Sequence, residues 1–333
     1  MMVLLAGLLM TFSMTHCGKS SNVVTVYTSV DRDYAEPILN TFKEKNPELQ
    51  VDVVYDSELT KTTGLYQKLL QEKRNPQAEV FWNNEIVRTI QLKKADILQP
   101  YQSPSASDIP STFKDTEGFW TGYSVRARVM VINTGEVPEN ETPASVPALS
   151  NPKYSGRIGM AKPEFGTTVT HMAALYTTLG KDLLAFHLKR AKANQIKILP
   201  GNAVVRDEVA RGDLAFGLTD TDDVYGALSE NKPVRMAFLD QINAGTLLIP
   251  NTVSLIKDCP NPDLGKKLID YLLSKEVEGQ LAQSRARQIP VRSDVPRPAG
   301  LPGLEEIKEM NVDYNQVAEN VEPCLELMRT LFP

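Results

Sequence analysis

Cysteine and histidine are scarce in this chain of 333 residues, with only three of each. Around Cys259, Cys324, His171 and His187 nothing falls at metal-ligand spacing, which excludes a zinc-organised fold and a histidine metal pair. Long apolar runs are also missing. After the first dozen positions no stretch is long enough to cross a bilayer. Neither sign of charge dominates: 36 basic residues face 41 acidic ones, a net charge of -5, so there is no basic field to hold a phosphate backbone and nucleic acid is excluded as a partner. The chain also lacks a Gly-x-Ser-x-Gly elbow, a His-Glu-x-x-His helix and a phosphate-binding lysine loop. A secreted hydrolase using paired carboxylates is thereby left as a distant alternative. Tryptophan occurs twice, and Trp82 and Trp120 are expected to pack in a core or at a domain edge.

What is present begins with an apolar run, Met2 to Phe12, too short to span a membrane and followed by small and polar residues up to Cys17. This pattern predicts an export signal over 1–16. The next stretch, 17–22, resembles the polar tether of bacterial lipoproteins, with Cys17 as the acylation point and a location outside the cytoplasmic membrane. His16 departs from the small residue expected there. In an oxidising compartment Cys259 and Cys324 either pair or remain two separate buried thiols, and the second is the expectation.

From Val23 onward strands and helices alternate. Val23 to Tyr27 and Val51 to Tyr55 are β-branched runs of strand length, and Ile38, Leu39 and Phe42 fall at helical spacing between them. A second helix is centred on Leu65 to Leu70, and a third strand, Glu79 to Trp82, runs into the turn Asn83-Asn84-Glu85. Strand, helix, strand, helix, strand indicates a parallel α/β sheet, in which ligands sit beyond the carboxyl ends of the strands. The loops holding Ser29, Asp31, Asn84 and Glu85 are thus one candidate half-site. The pattern recurs between 156 and 223, flanked by two long strands, Gly122 to Ile132 and Gly245 to Ile256. Helices over 263–273 and 275–282 follow.

The second half-site has two kinds of residue. Gly166, Thr167 and Thr168 open a helix, and Asn202 opens another; free N–H groups at such starts attract anions, although every helix needs capping in any case. Arg126 adds a planar donor fork, and Arg128 shares its strand face. Asp220, Asp222 and Asp223 bring three carboxylates to the end of one strand, a candidate metal or ammonium site. The alternative is a solvated turn with an aspartate cap.

The strings Val26-Tyr27-Thr28-Ser29, Ala78-Glu79-Val80-Phe81-Trp82, Ser124-Val125-Arg126-Ala127-Arg128-Val129, Tyr154-Ser155-Gly156-Arg157-Ile158-Gly159 and Asn202-Ala203-Val204-Val205-Arg206 resemble, in order, segments of the ferric-iron-binding proteins of ABC importers. The resemblance implies an α/β type II periplasmic-binding-protein fold, with lobe 1 from 23–121 plus 251–333 and lobe 2 from 122–250, joined by two crossing strands. It further implies a monomeric carrier that closes by a hinge, delivers to an ABC permease, and has ferric iron with a companion anion as transported ligand rather than a resident cofactor. The loop at Gly166 to Thr168 matches the one that holds that anion. Family members that hold bare ferric iron typically present adjacent tyrosines where this chain has Asp220-Thr221-Asp222-Asp223, and often a histidine near Ser29. A zwitterion such as 2-aminoethylphosphonate is the alternative ligand.

Overall fold

A computed structural model describes residues 22–56 and 62–332. The expected export signal, Cys17 and all of the tether except Asn22 lie outside the described residues. The first half opens with β1 (Val23–Thr28), α1 (Arg32–Lys45), β2 (Gln50–Tyr55), α2 (Thr63–Gln71), β3 (Val80–Asn83), α3 (Val87–Lys94) and the short β4 (Leu98–Gln99). As the alternation predicts, β1 lies parallel to both β2 and β3. Ile38, Leu39 and Phe42 of α1 are buried, the face that the helical spacing marks.

The long strand β5 (Thr121–Asn133) then leads into the second half. This comprises β6 (Ile158–Ala161), α4 (Gly166–Leu179), α5 (Lys181–Ala193), β7 (Lys197–Leu199), α6 (Asn202–Arg211), β8 (Phe216–Asp220), α7 (Thr221–Ser229) and β9 (Val234–Phe238). The chain returns through β10 (Leu248–Ile256) to α8 (Pro262–Leu272) and α9 (Lys275–Gln283), and ends in α10 (Tyr314–Glu319) and α11 (Val321–Leu331).

A single sheet path, β2-β1-β3-β10-β5-β8-β6-β7, connects both halves. Strand β5 changes partners midway: Thr121 to Ala127 pair with β10, whereas Arg128 to Ile132 pair with β8 and β9. The two crossing strands are therefore β5 and β10, bonded to each other where they pass, with a register shift at Asn251/Thr252. A β-bulge of this kind bends a strand locally and suits a hinge.

Within 251–333, the segment expected in lobe 1, the C-terminal helices also contact the second half. Beyond Ile289, which pairs with Val125, the chain crosses again, and Met310 donates to Thr246. Val317, Val321, Cys324, Leu325 and Met328 then join the hydrophobic core built by α4, α5, β6 and β8. So α11 packs on α4 and α5 of the second half, while α10 lies between α3 of the first half and α4 of the second, where Gln91 donates to the Ala318 carbonyl oxygen. Cys259 belongs to the other core, and both thiols are unpaired, as expected of separate buried cysteines.

One close approach positions α6. A methyl group at Gly217 in β8 would overlap the Val205 side chain of α6 and lie 2.8 Å from the Gly159 carbonyl oxygen. Backbone cannot yield as a side-chain tip can, so Gly217→Ala should destabilise the protein by roughly 1–3 kcal/mol through overpacking. A thermal melt checks this; an unchanged melting temperature would mean that α6 lifts from the sheet freely.

Candidate ligand cleft

The carboxyl ends of β6, β7 and β8 lead into α4, α6 and α7, so three helix starts converge at one edge of the sheet. The loops after β1 and β3 approach them from the first half. Together they line a cleft that is open to solvent. It is lined by Asp31 and Asn84 from the first half, Arg126 from β5, and Gly166, Thr167, Thr168, Asn202, Asp220, Asp222 and Asp223 from the second. Sequence reasoning thus brings ten of its twelve candidates to one place.

Ser29 and Glu85 are outside the lining. Ser29 is buried beneath the cleft and donates to the side chains of Asn83 and Asn84. Glu85 accepts from the Val87 and Arg88 amides, each at 2.7 Å, and from Thr170 Oγ1 at 3.0 Å. It caps α3 and bonds α4 across the two halves, with burial pushing its carboxyl up. His171 lies behind the cleft, where its Nδ1 accepts from Arg128 at 3.4 Å. Burial, assisted by the Arg128 charge, pushes its pKa down to about 3, so the imidazole is neutral. Trp82 is fully buried against Tyr123.

The helix starts differ in what they leave open. The N-cap residues of α4 and α6, Phe165 and Gly201, provide no side-chain cap. Their first-turn N–H groups are oriented for an anion at the cleft. Gly166 has φ +56°, a backbone conformation that glycine adopts without strain, and a side chain there would meet nothing within 4 Å. At α7 the first turn already carries negative charge from Asp222 and Asp223. Lys162, Phe165, Pro200, Gly201 and Ala203 also line the cleft. Sequence reasoning does not single out Pro200, Gly201 or Ala203, although Pro-Gly before a helical run is a start signal.

The three aspartates do different work. Asp220 is buried and accepts from Arg128 at 2.6 Å, Thr167 Oγ1 at 2.5 Å, Asn202 Nδ2 at 3.0 Å and Arg126 at 3.3 Å. Burial alone would raise its pKa, but the two guanidinium groups outweigh that and hold it below the usual carboxylate range. Asp222 lies 3.1 Å from Arg126 at the cleft wall. Asp223 accepts from Thr219 at 2.6 Å, and burial together with the charges of Asp222 and Asp220 pushes its pKa up to about 7. Oxygens of all three lie within 4.8 Å of one another, a spacing that a cation can bridge. Asp220 would have to give up its bonds to donors to do so. Among the described residues, the lining contains no tyrosine, histidine or cysteine.

A sequence profile of bacterial extracellular solute-binding proteins matches residues 89–320. The chain belongs to this family. Iron uptake protein A1 of Synechocystis is 25% identical over 280 residues, covering 80% of this chain and 77% of that protein. The major ferric iron-binding protein of Neisseria meningitidis is 24% identical over 306 residues, 89% of each chain. A "putative 2-aminoethylphosphonate-binding periplasmic protein" of Salmonella typhi is 24% identical over 234 residues, 69% of this chain and 67% of its own. In structure, the ferric binding protein of Campylobacter jejuni superposes with a TM-score of 0.82 at 21% identity, over 93% of this chain and 99% of that one. The two-lobed type II fold of solute-binding proteins is therefore shared.

Two outcomes test the aspartates of this solute-binding cleft. Asp220→Ala leaves the buried Arg128 guanidinium without its carboxylate, while Arg126 keeps Asp222, and should cost roughly 3–5 kcal/mol in chemical denaturation; a loss no larger than that of an exposed aspartate would disprove the buried-ion role. For Asp223, a folded-state pKa near 7 exceeds the unfolded value of about 4. The native state then binds more protons across that window, so rising pH lowers stability. Asp223→Asn removes this slope, and the variant should gain melting temperature relative to wild type between pH 5 and pH 8.

Proposed function

We propose that this solute-binding protein captures a small solute combining an oxyanion group with a positive part, and delivers it to an ABC permease outside the cytoplasmic membrane. The carrying observation is the mixed lining of the cleft. The open starts of α4 and α6 with Lys162 offer donors, and Asp31, Asp222 and Asp223 offer carboxylates, in the lining of one cleft. Arg126 lines the same cleft and is bonded to Asp220 and Asp222. Such groups suit charge-assisted bonds to both parts of one ligand.

Hinge closure is the proposed mode of capture. The first-half loops and the second-half helix starts both contact the ligand, and β5 and β10 absorb the rotation near Asn251. The protein acts as a monomer and has no catalytic step of its own. Cys17 is the proposed lipid attachment point, which would keep the carrier at a membrane surface.

A ferric ion with a companion anion meets this description: the aspartates supply hard oxygen ligands and the helix starts hold the anion. The ferric iron-binding names among its relatives favour this reading. A second reading, 2-aminoethylphosphonate or a similar small phosphonate, is favoured by the bonds that saturate Asp220 and by a lining without phenol or imidazole. Melting the ligand-free protein with ferric citrate and, separately, with 2-aminoethylphosphonate distinguishes them. Saturation at a hundred times Kd should add about 2.7 kcal/mol. Stabilisation by the phosphonate alone would reject iron, and stabilisation by neither would reject both.

A further inference from the structure

The two halves also meet away from the cleft lining, along α3 and α4. Ile86, Val87 and Ile90 of the first half are buried in the same apolar cluster as Val169, Met172 and Ala173 of α4. A polar bond crosses this contact, from Thr170 Oγ1 to the Glu85 carboxylate at 3.0 Å. Both residues are fully shielded from solvent.

Each end of that bond is held within its own half. The Glu85 carboxylate is fixed by the Val87 and Arg88 amides, each at 2.7 Å. Its backbone carbonyl accepts from Asn83 Nδ2, which also donates to Thr89, and the Thr89 hydroxyl lies 2.8 Å from that of Thr252. Thr252 sits at the register shift of β10, so the acceptor is tied to a crossing strand. On the other side, Thr177 and Thr178 of α4 donate back to the Ala173 and Ala174 carbonyls of their own helix, whereas Thr170 donates out of it.

We propose that Glu85 and Thr170 form an inter-lobe latch that sets the hinge equilibrium from outside the ligand cleft, favouring the conformation in which Asn84 of the first half and Asp220 of the second both bond Arg126. This rests on the hinge closure proposed above. The apolar contact is non-directional and lets α3 slide on α4. The hydrogen bond does not, because a lengthening of about 0.5 Å brings it to the end of its working range. When the lobes part, Thr170 can turn to a carbonyl of its own helix, as Thr177 and Thr178 do, and Glu85 keeps its two amides. Neither group is left without a partner, so the latch opens and closes reversibly.

Electron–electron double resonance between nitroxide labels measures the lobe separation directly. Labels introduced through Asp52→Cys and Lys197→Cys, in a Cys17→Ser background, sit at exposed positions of β2 and β7, the outermost strands of the sheet path, where rotation about β5 and β10 displaces them most. Cys259 and Cys324 are buried and stay unlabelled. Without ligand, Thr170→Val removes the donor at nearly constant volume and should raise the ratio of long to short separations by about tenfold, the scale of one hydrogen bond to a charged group. Thr170→Ser, which keeps the hydroxyl, should match wild type. Glu85→Gln should shift the ratio as Thr170→Val does, and carries the test if Thr170→Val does not fold by circular dichroism. Where wild type is already mostly open, the same loss appears as about tenfold weaker binding of ferric citrate or 2-aminoethylphosphonate. Separations and affinities that both match wild type overturn the latch, as does a shorter separation in Thr170→Val. If, with both unchanged in the variants, either probe still draws the wild-type labels together, the hinge stands and the latch is rejected. A longer separation in Thr170→Val, with neither probe bound by wild type, keeps the latch and rejects the ligands proposed above.

Discussion

A single carboxylate, that of Asp220, holds the second half of the cleft in register. It closes β8 and receives donors from β5, from the first turn of α4 and from the first residue of α6. Burying an ion is costly unless its partners are close and numerous. Here two guanidinium groups, a hydroxyl and an amide meet that condition. Two of the donors open α4 and α6 and two lie in the middle of β5, so satisfying the buried charge also fixes the open helix starts against the crossing strand. Asp220 is thus the foundation of the site, while Asp222 and Asp223 present their charge to the space above it.

Much of the layout follows from local pattern. The β-branched runs at Val23 and Val51, with a helical face between them, can bury apolar surface only as a parallel layered sheet, and that sheet is present. Loops at the carboxyl ends of such strands converge for the same topological reason, and so ten candidates from distant positions meet in one cleft. What sequence pattern does not carry is partnership. The apolar stripe of α11 shows which face is buried but not whose core buries it, and it packs on α4 and α5. Likewise Asp220, Asp222 and Asp223 read alike in a row. Only the approach of Arg128 separates the buried ion from the two at the cleft wall. Glu85 was drawn into the half-site by its loop, yet two amides of α3 and Thr170 claim its oxygens.

The relatives share a frame more firmly than a ligand. A two-lobed fold with helix starts around a cleft accepts any solute whose charges match the residues at its edge, so the fold alone does not name the cargo. In this chain the strand end holds three aspartates between two arginines, and no phenol or imidazole lines the cleft among the described residues. Ligand chemistry is therefore set by a few side chains on an inherited sheet edge.

Ligand recognition and lobe motion meet on one strand. Arg126 lies on β5 one residue before its last pairing with β10, and Arg128 lies where the pairing with β8 begins. The Nε of Arg126 bonds Asn251, which sits at the register shift of β10 and is held by Ser124 and Gln288. A ligand that engages Arg126 therefore acts on a side chain that joins both crossing strands. Because its remaining bonds reach Asn84 in the first half and Asp220 in the second, any shift of the guanidinium changes contacts with both lobes at once. A binding event at this one side chain then bears on both lobes, and differential contacts with two states are the physical requirement for a ligand to drive the proposed closure.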